Sequence, residues 1–266
     1  MLLLIGAAVT LNACASNDSD VQIEESADVL YDKAQTALDS DNFIEAARNF
    51  EELERQHPYS ERATQAKLMA AYSYYEGQRY DEAVLALDRF IDLHPGNKNI
   101  DYAHYLKALC YYEQISDVRR DQAITEEAMK SLEALIRRFP DSKYARDAAL
   151  KRDLTLDHLA GKEMEIGRYY LNRGHVNAAI NRFRTVVKDY QTTTHTAEAL
   201  HRLVEAYLTL GLTQEATKVA AVLGHNYPGS KWYERSFELL DPASRQQILD
   251  NRGFVDRTIE TIFKPD

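Results

Sequence analysis

Apolar and polar positions along this chain follow the 3.6-residue period of amphipathic helices, and one helical face recurs several times. Ala46, Ala83, Ala128, Ala179 and Ala216 are followed four positions on by Phe50, Leu87, Leu132, Phe183 and Ala220, and seven positions on by Leu53, Phe90, Leu135, Val186 and Leu223. Twelve positions after four of these alanines stand Pro58, Pro95, Pro140 and Pro228, preceded by His57, His94, Phe139 and Tyr227; in the remaining unit Tyr190-Gln191 takes that place. Twelve positions before the alanine lies a second small residue, Ala34, Ala71 or Gly167, followed three later by Ala37, Tyr74 or Tyr170. Each unit therefore reads as two helices, and small residues at matching places let the backbones approach closely.

Departures from the period locate insertions. Pro58 to Pro95 is 37 residues, Pro95 to Pro140 is 45, and Pro140 to Gln191 is 51, so the third and fourth units carry 8 and 14 extra residues. The first insertion falls between two helices, at the polar stretch Ile115 to Asp121. The second precedes its unit, where Ser142 to His158 has helical spacing of its own, with Tyr144, Ala148, Leu154 and Leu156 on or near one face; a longer helix or a helix pair is expected there. After Pro228, Lys231 to Leu240 reads as a capping helix that covers the last apolar face.

The frame resembles the tetratricopeptide repeat, whose small residues at the eighth and twentieth places and proline near the end correspond to Ala34, Ala46 and Pro58, then to Ala71, Ala83 and Pro95. That resemblance implies an all-α, right-handed superhelical solenoid of about five helix pairs with an inserted mid-point helix. The expected organisation is a signal peptide over 1–13, a lipid-anchored linker over 14–25, units one to three over 26–140, the mid-point helix, units four and five and the cap over 141–240, and a C-terminal tail over 241–266. Composition agrees, because Gly (10) and Pro (6) are scarce.

The segment Leu2 to Leu11 is almost wholly apolar, too short to span a bilayer, and ends at Leu11-Asn12-Ala13-Cys14. It reads as a bacterial lipoprotein signal, with Cys14 the site of lipid attachment and hence of membrane anchoring. The plainer alternative is a free cysteine in an unstructured tail. Ala15 and Ser16 lack the aspartate that holds lipoproteins at the inner membrane, so outer-membrane sorting is expected. The only other cysteine, Cys110, lies in an apolar run and reads as a buried, inert thiol. Forty-two acidic against 32 basic residues give a formal charge of −10, which argues against nucleic acid as a partner.

Catalytic patterns are missing: there is no HExxH, GxSxG, phosphate-cradling glycine loop or paired CxxC. The eight histidines are scattered without ligand spacing, so no metal and no cofactor is expected, and the chain reads as a non-enzyme. Binding surface is the remaining candidate. On the exposed side of the first helices lie Tyr31 and Leu38, then Leu68, Tyr72 and Tyr75, then Tyr102, Tyr105 and Tyr112. Seventeen tyrosines against one tryptophan suit a surface that grips extended peptides of varied sequence, although any single ring is more readily explained by packing between helices. A basic group, Arg168, Arg173, Arg182, Arg184 and Lys188, suits a partner-docking surface or, more plainly, a solvated face with ion pairs.

Particular stretches carry a closer resemblance: Ala27-Asp28-Val29-Leu30-Tyr31, Phe50-Glu51-Glu52-Leu53 through His57-Pro58-Tyr59-Ser60, His94-Pro95 to Tyr105, Phe139-Pro140-Asp141-Ser142-Lys143-Tyr144, and Gly167 to Gly174. These resemble the BamD family of the outer-membrane barrel assembly (BAM) machinery, over residues 14 to about 240. The resemblance implies an outer-membrane lipoprotein facing the periplasm, with three partners: a BamA-like barrel insertase bound through its periplasmic domains, other BAM lipoproteins, and unfolded β-barrel precursors. It assigns precursor recognition to the N-terminal units, including Tyr31, Tyr72, Tyr75 and Tyr105, and insertase docking to the region around Arg168 to Tyr190. The alternative is another repeat lipoprotein, such as a pilus-secretin assembly factor or a peptidoglycan-enzyme scaffold, for which a uniform period is expected.

Overall fold

A computed structural model describes residues 24–250 of the chain; Cys14 and the end of the C-terminal tail lie outside the described residues. Twelve helices and no strand occur among those residues: α1 (Ala27–Asp39), α2 (Phe43–Gln56), α3 (Glu61–Glu76), α4 (Tyr80–Leu93), α5 (Ile100–Tyr112), α6 (Ala123–Arg138), α7 (Ala145–Asn172), α8 (Val176–Asp189), α9 (Thr196–Thr209), α10 (Thr213–Asn226), α11 (Lys231–Leu239) and α12 (Pro242–Asp250). From α1 to α10 each helix packs on the next, and α1–α3, α3–α5 and α5–α7 also touch. This is the contact pattern of a solenoid of helix pairs.

The repeat face forms the core. Ala46, Ala83, Ala128, Ala179 and Ala216 are fully buried, as are Phe50, Leu87, Leu132, Phe183 and Ala220 four residues on. Ala34, Ala71 and Gly167 face them from the preceding helix and are buried too. At Gly167 the approach is closest, since a Cβ there would lie 2.4 Å from the Phe183 ring. Cys110 is buried, and burial pushes its thiol up to about 12.

Two turns are repeated with the same hydrogen bonds. Within a unit the first helix closes through Asn42 N–H to Ala37 C=O, Arg79 to Tyr74, His175 to Tyr170 and Leu212 to Tyr207, at 2.8–2.9 Å. The residue before each donor is left-handed: Asp41 (φ 57°), Gln78 (57°), Gly174 (77°) and Gly211 (73°). Glycine takes this conformation freely, whereas Asp41 and Gln78 hold it at about 1 kcal/mol each. Between units, His57, His94, Phe139, Tyr190 and Tyr227 cap the second helices, each with φ between −128° and −135°, and each donates its N–H four residues back. Proline after the cap disfavours helical backbone at the residue before it and so helps to end the helix there, yet Tyr190 keeps the geometry with Gln191 in its place.

The two insertions fall where the spacing puts them. One is the loop between α5 and α6; the other is absorbed as extra N-terminal turns of α7, a single helix of 28 residues. The cap is α11, with Ser230 Oγ accepting from Tyr233 N–H. The segment after Leu240 holds one further helix, α12, packed on α10. Its start follows ordinary rules: Asp241 accepts from Ser244 N–H and Pro242 takes the first helical position, where its missing N–H costs nothing.

In the last core, His201 is buried, lies tilted against Trp232 and meets Ser236 Oγ at 2.8 Å through Nδ1. Its Nε2 lies 3.5 Å from Glu205, whose carboxyl is held down to about 2 from the ordinary 4.5 by His201 first and by Arg202, against the opposing effect of burial.

Two predictions follow from this packing. Gly167→Ala should cost about 1–3 kcal/mol in urea unfolding through overpacking against Phe183, whereas Gly96→Ala, with nothing within 4 Å of its Cβ, should change stability by less than about 0.5 kcal/mol. Because Glu205 has a lower folded than unfolded pKa, its ionised form stabilises the fold above pH 4.5 and that contribution drains away as pH falls towards 2. Urea unfolding at pH 6 and pH 3 should show a larger loss for the parent than for Glu205→Gln.

Candidate functional site

The first helices bring four of the six expected tyrosines together. Tyr72 and Tyr75 on α3 and Tyr102 and Tyr105 on α5 are half-buried and pack against one core. Tyr144, the residue before α7, closes the group: its ring stacks on Tyr105 at 4.8 Å and 15° and meets Tyr102 at 5.4 Å. The α7 extension therefore supplies a wall to the tyrosine surface. Tyr105 donates its hydroxyl to Asp147 Oδ2 at 2.6 Å, and Lys151 lies 3.1 Å from the same carboxylate and 5.3 Å from the Tyr112 ring. Ser142 Oγ donates to Asp101 at 2.7 Å and ties the start of α7 to α5.

The electrostatics of this cluster are one-sided. Burial first, then Glu113, pushes the Tyr75 phenol up to about 12. Burial also raises Tyr102, Tyr105 and Tyr72, with Asp147 adding to Tyr105 and Glu76 to Tyr72. The hydroxyls stay protonated; Tyr105 and Tyr72 spend theirs on Asp147 and Glu76, so the surface offers the O–H donors of Tyr75 and Tyr102 and aromatic faces on an acidic rim. Backbone carbonyls and apolar side chains of an extended peptide match it.

Not every expected position joins the cluster. Leu68 was expected on the exposed side of α3 but is buried at 6 %, packed in the core with Leu87 and Phe90, because it lies on the stripe that faces α4 and α5. Tyr31 and Leu38 belong to the first core instead, where Tyr31 meets Phe50 edge-on at 5.5 Å, lies under the Arg62 guanidinium at 4.7 Å and accepts from Gln65 at 2.8 Å. Tyr112 packs beside Tyr105 and Tyr144 at the edge of a further small core. Tyr144 and Asp147 are the positions that sequence reasoning missed. Their signal was present, because they open the inserted helix immediately after the Phe139-Pro140 punctuation.

Two of the five residues of the basic group form ion pairs between helices. Arg168 bonds Glu165 and reaches Glu198 on α9 at 3.3 Å, and Arg182 on α8 meets Glu163 on α7 at 3.0 Å. Arg173 is exposed over the Tyr169 ring at 5.0 Å, while Arg184 and Lys188 are exposed on α8. Beside them a cleft of about 390 Å³ opens between the α5–α6 loop, α6 and α7, lined by Arg119, Arg120, Gln122, Lys162, Glu163 and Tyr190 among others. Gln122 is 9 % exposed; its Nε2 donates to the carbonyls of Val118 and Arg120, and its Oε1 has no donor within the protein. No group of three or more His, Cys, Asp or Glu among the described residues is placed to hold a metal ion, and no described helix is long and apolar enough to cross a membrane.

An open helical repeat with a tyrosine-walled face and cross-helix ion pairs defines the class of solenoid proteins, which present extended surface along the array. The chain matches the YfiO family model, described as an outer membrane lipoprotein, over residues 23–223. It is 52 % identical to the outer membrane protein assembly factor BamD of Caulobacter vibrioides, over 91 % of this chain and 80 % of that protein. It is 49 % identical to the protein of the same name in Rickettsia prowazekii, over 90 % and 94 %, and 36 % identical to that of Neisseria meningitidis serogroup A, over 90 % and 95 %. The chain belongs to the BamD family of outer membrane protein assembly factors.

Tyr105→Phe keeps the stack on Tyr144 but removes the donor to Asp147. It should lower unfolding stability by about 1 kcal/mol, read by urea denaturation.

Proposed function

We propose that this chain is a non-catalytic scaffold of outer-membrane protein assembly, held at the outer membrane by lipid on Cys14 and facing the periplasm. The half-buried tyrosine cluster of α3, α5 and the start of α7 carries the reading. It receives an extended segment of an unfolded β-barrel precursor, with the Tyr75 and Tyr102 phenols donating to backbone carbonyls and the rings covering alternate side chains. The surface of α7 and α8, with Arg168, Arg173, Arg182, Arg184 and Lys188, docks the periplasmic domains of a BamA-like insertase and leaves room for other lipoproteins of the same machinery. Family membership at 52 % identity supports this assignment over a pilus-secretin factor or a cell-wall scaffold. The 45- and 51-residue spacings support it too, because the longer one supplies Tyr144 to the cluster.

A peptide copied from the terminal strand of a barrel precursor should bind the parent and bind the Tyr72→Ala/Tyr75→Ala/Tyr105→Ala variant at least about tenfold more weakly by anisotropy; equal affinities would refute the tyrosine assignment. Charge reversal of Arg182 and Arg184 should reduce co-purification of the insertase from mild detergent, and unchanged recovery would remove those residues from the docking surface.

A further inference from the structure

The last turn of the solenoid gathers three cations around one indole. Trp232, the only tryptophan of the chain, is half-buried on α11 with the His201 ring 5.2 Å away and tilted by 34°. Three cations surround the same indole: the Lys231 ammonium at 4.9 Å from its centroid, the Arg235 guanidinium at 5.3 Å and the Arg202 guanidinium at 5.7 Å. Arg202 is neutralised by Glu198 and Glu205. Lys231 and Arg235 are exposed and form no ion pair among the described residues.

Both are badly placed for stability. They stand four residues apart on one helix, where like charges repel. Lys231 is also the first residue of α11, at the end of the helix where the backbone dipole disfavours a cation. An anion beside the indole would relieve the repulsion and meet that dipole with the favourable sign. The ligand should be a local charge and not an extended anionic plane, because Glu234 and Glu238 alternate with the cations along α11 and would be pressed against a charged bilayer.

We propose that Lys231, Trp232 and Arg235 form a docking site for a carboxylate-rich peptide segment of a partner protein, with the cations pairing its carboxylates and the indole packing against its chain. The site lies on α11, separate from the tyrosine cluster and from the α7–α8 surface, and does not depend on the function proposed for either.

Trp232 reports on its own site. Full-length protein in uncharged detergent is titrated with acetylated hexaglutamate amide while indole emission is followed. The expected result is a saturable change in emission that weakens with added salt and requires at least about tenfold more peptide in the Lys231→Gln/Arg235→Gln variant. Both positions are exposed, so far-UV circular dichroism should confirm that this variant is folded, and Lys231→Arg should retain binding. Absence of a saturable change in the parent, equal affinity in the neutralised variant, or the same change with hexalysine would overturn the proposal. So would vesicles containing anionic phosphatidylglycerol reproducing the change when the peptide does not, because the site would then read a membrane.

Discussion

Close approach of paired helices is the constraint on which the rest of this molecule depends. At the repeat alanines, and at Ala34, Ala71 and Gly167 opposite them, no side chain larger than a methyl holds the backbones apart, and the large apolar residues one turn away fill the space on either side. Interiors are packed to crystal-like density, so a single methyl group at such a contact forces a ring to move. Contacts run from each helix to its neighbours along the array, so each unit completes the core of the next. The end of the array needs a separate solution: α11 covers the last core with Tyr233, which sits so close to Gly224 that a Cβ there would lie 2.4 Å from the ring.

Two recurrent turns transmit that packing along the chain. The left-handed residue inside a unit and the aromatic or imidazole cap between units repeat with the same hydrogen bonds, so successive helix pairs are placed alike. Insertions are tolerated where those turns do not constrain the path, in the α5–α6 loop and as added turns on α7. The second has consequences for binding. By carrying Tyr144 and Asp147 back over α5, it turns a row of ring edges into an aromatic surface with a fixed hydrogen-bonding rim.

Charge is distributed according to different needs. Arg168 and Arg182 spend their guanidinium groups on carboxylates of neighbouring helices and hold α7, α8 and α9 in register, leaving Arg173, Arg184 and Lys188 exposed. Burial first, and the carboxylates beside it second, keep the phenols of the tyrosine cluster protonated. At Trp232 the balance is reversed, with exposed cations kept beside an aromatic face at a cost in helix stability, and that contrast marks the capping helix as more than a lid.

Much of this architecture could be read from spacing. Helix periodicity, the small residues, the residue before each proline and the positions of both insertions are local properties, and local sterics and burial decide them, so the five units and the long mid-point helix were visible in the chain. Even α12 had its signal in Asp241-Pro242. Leu68 shows where such reading stops: helical spacing places it near Tyr72 and Tyr75, but only packing against α4 and α5 decides which of these side chains is covered. The partnership of Tyr144 with Tyr102 and Tyr105, the division of Tyr31 into a separate core, and the convergence of Lys231, Arg235 and Arg202 on one indole all join residues from helices or units that periodicity treats separately. Those contacts depend on how far one helix pair is rotated and shifted against the next, a quantity set by the summed fit of side chains across the interface and carried by no single residue.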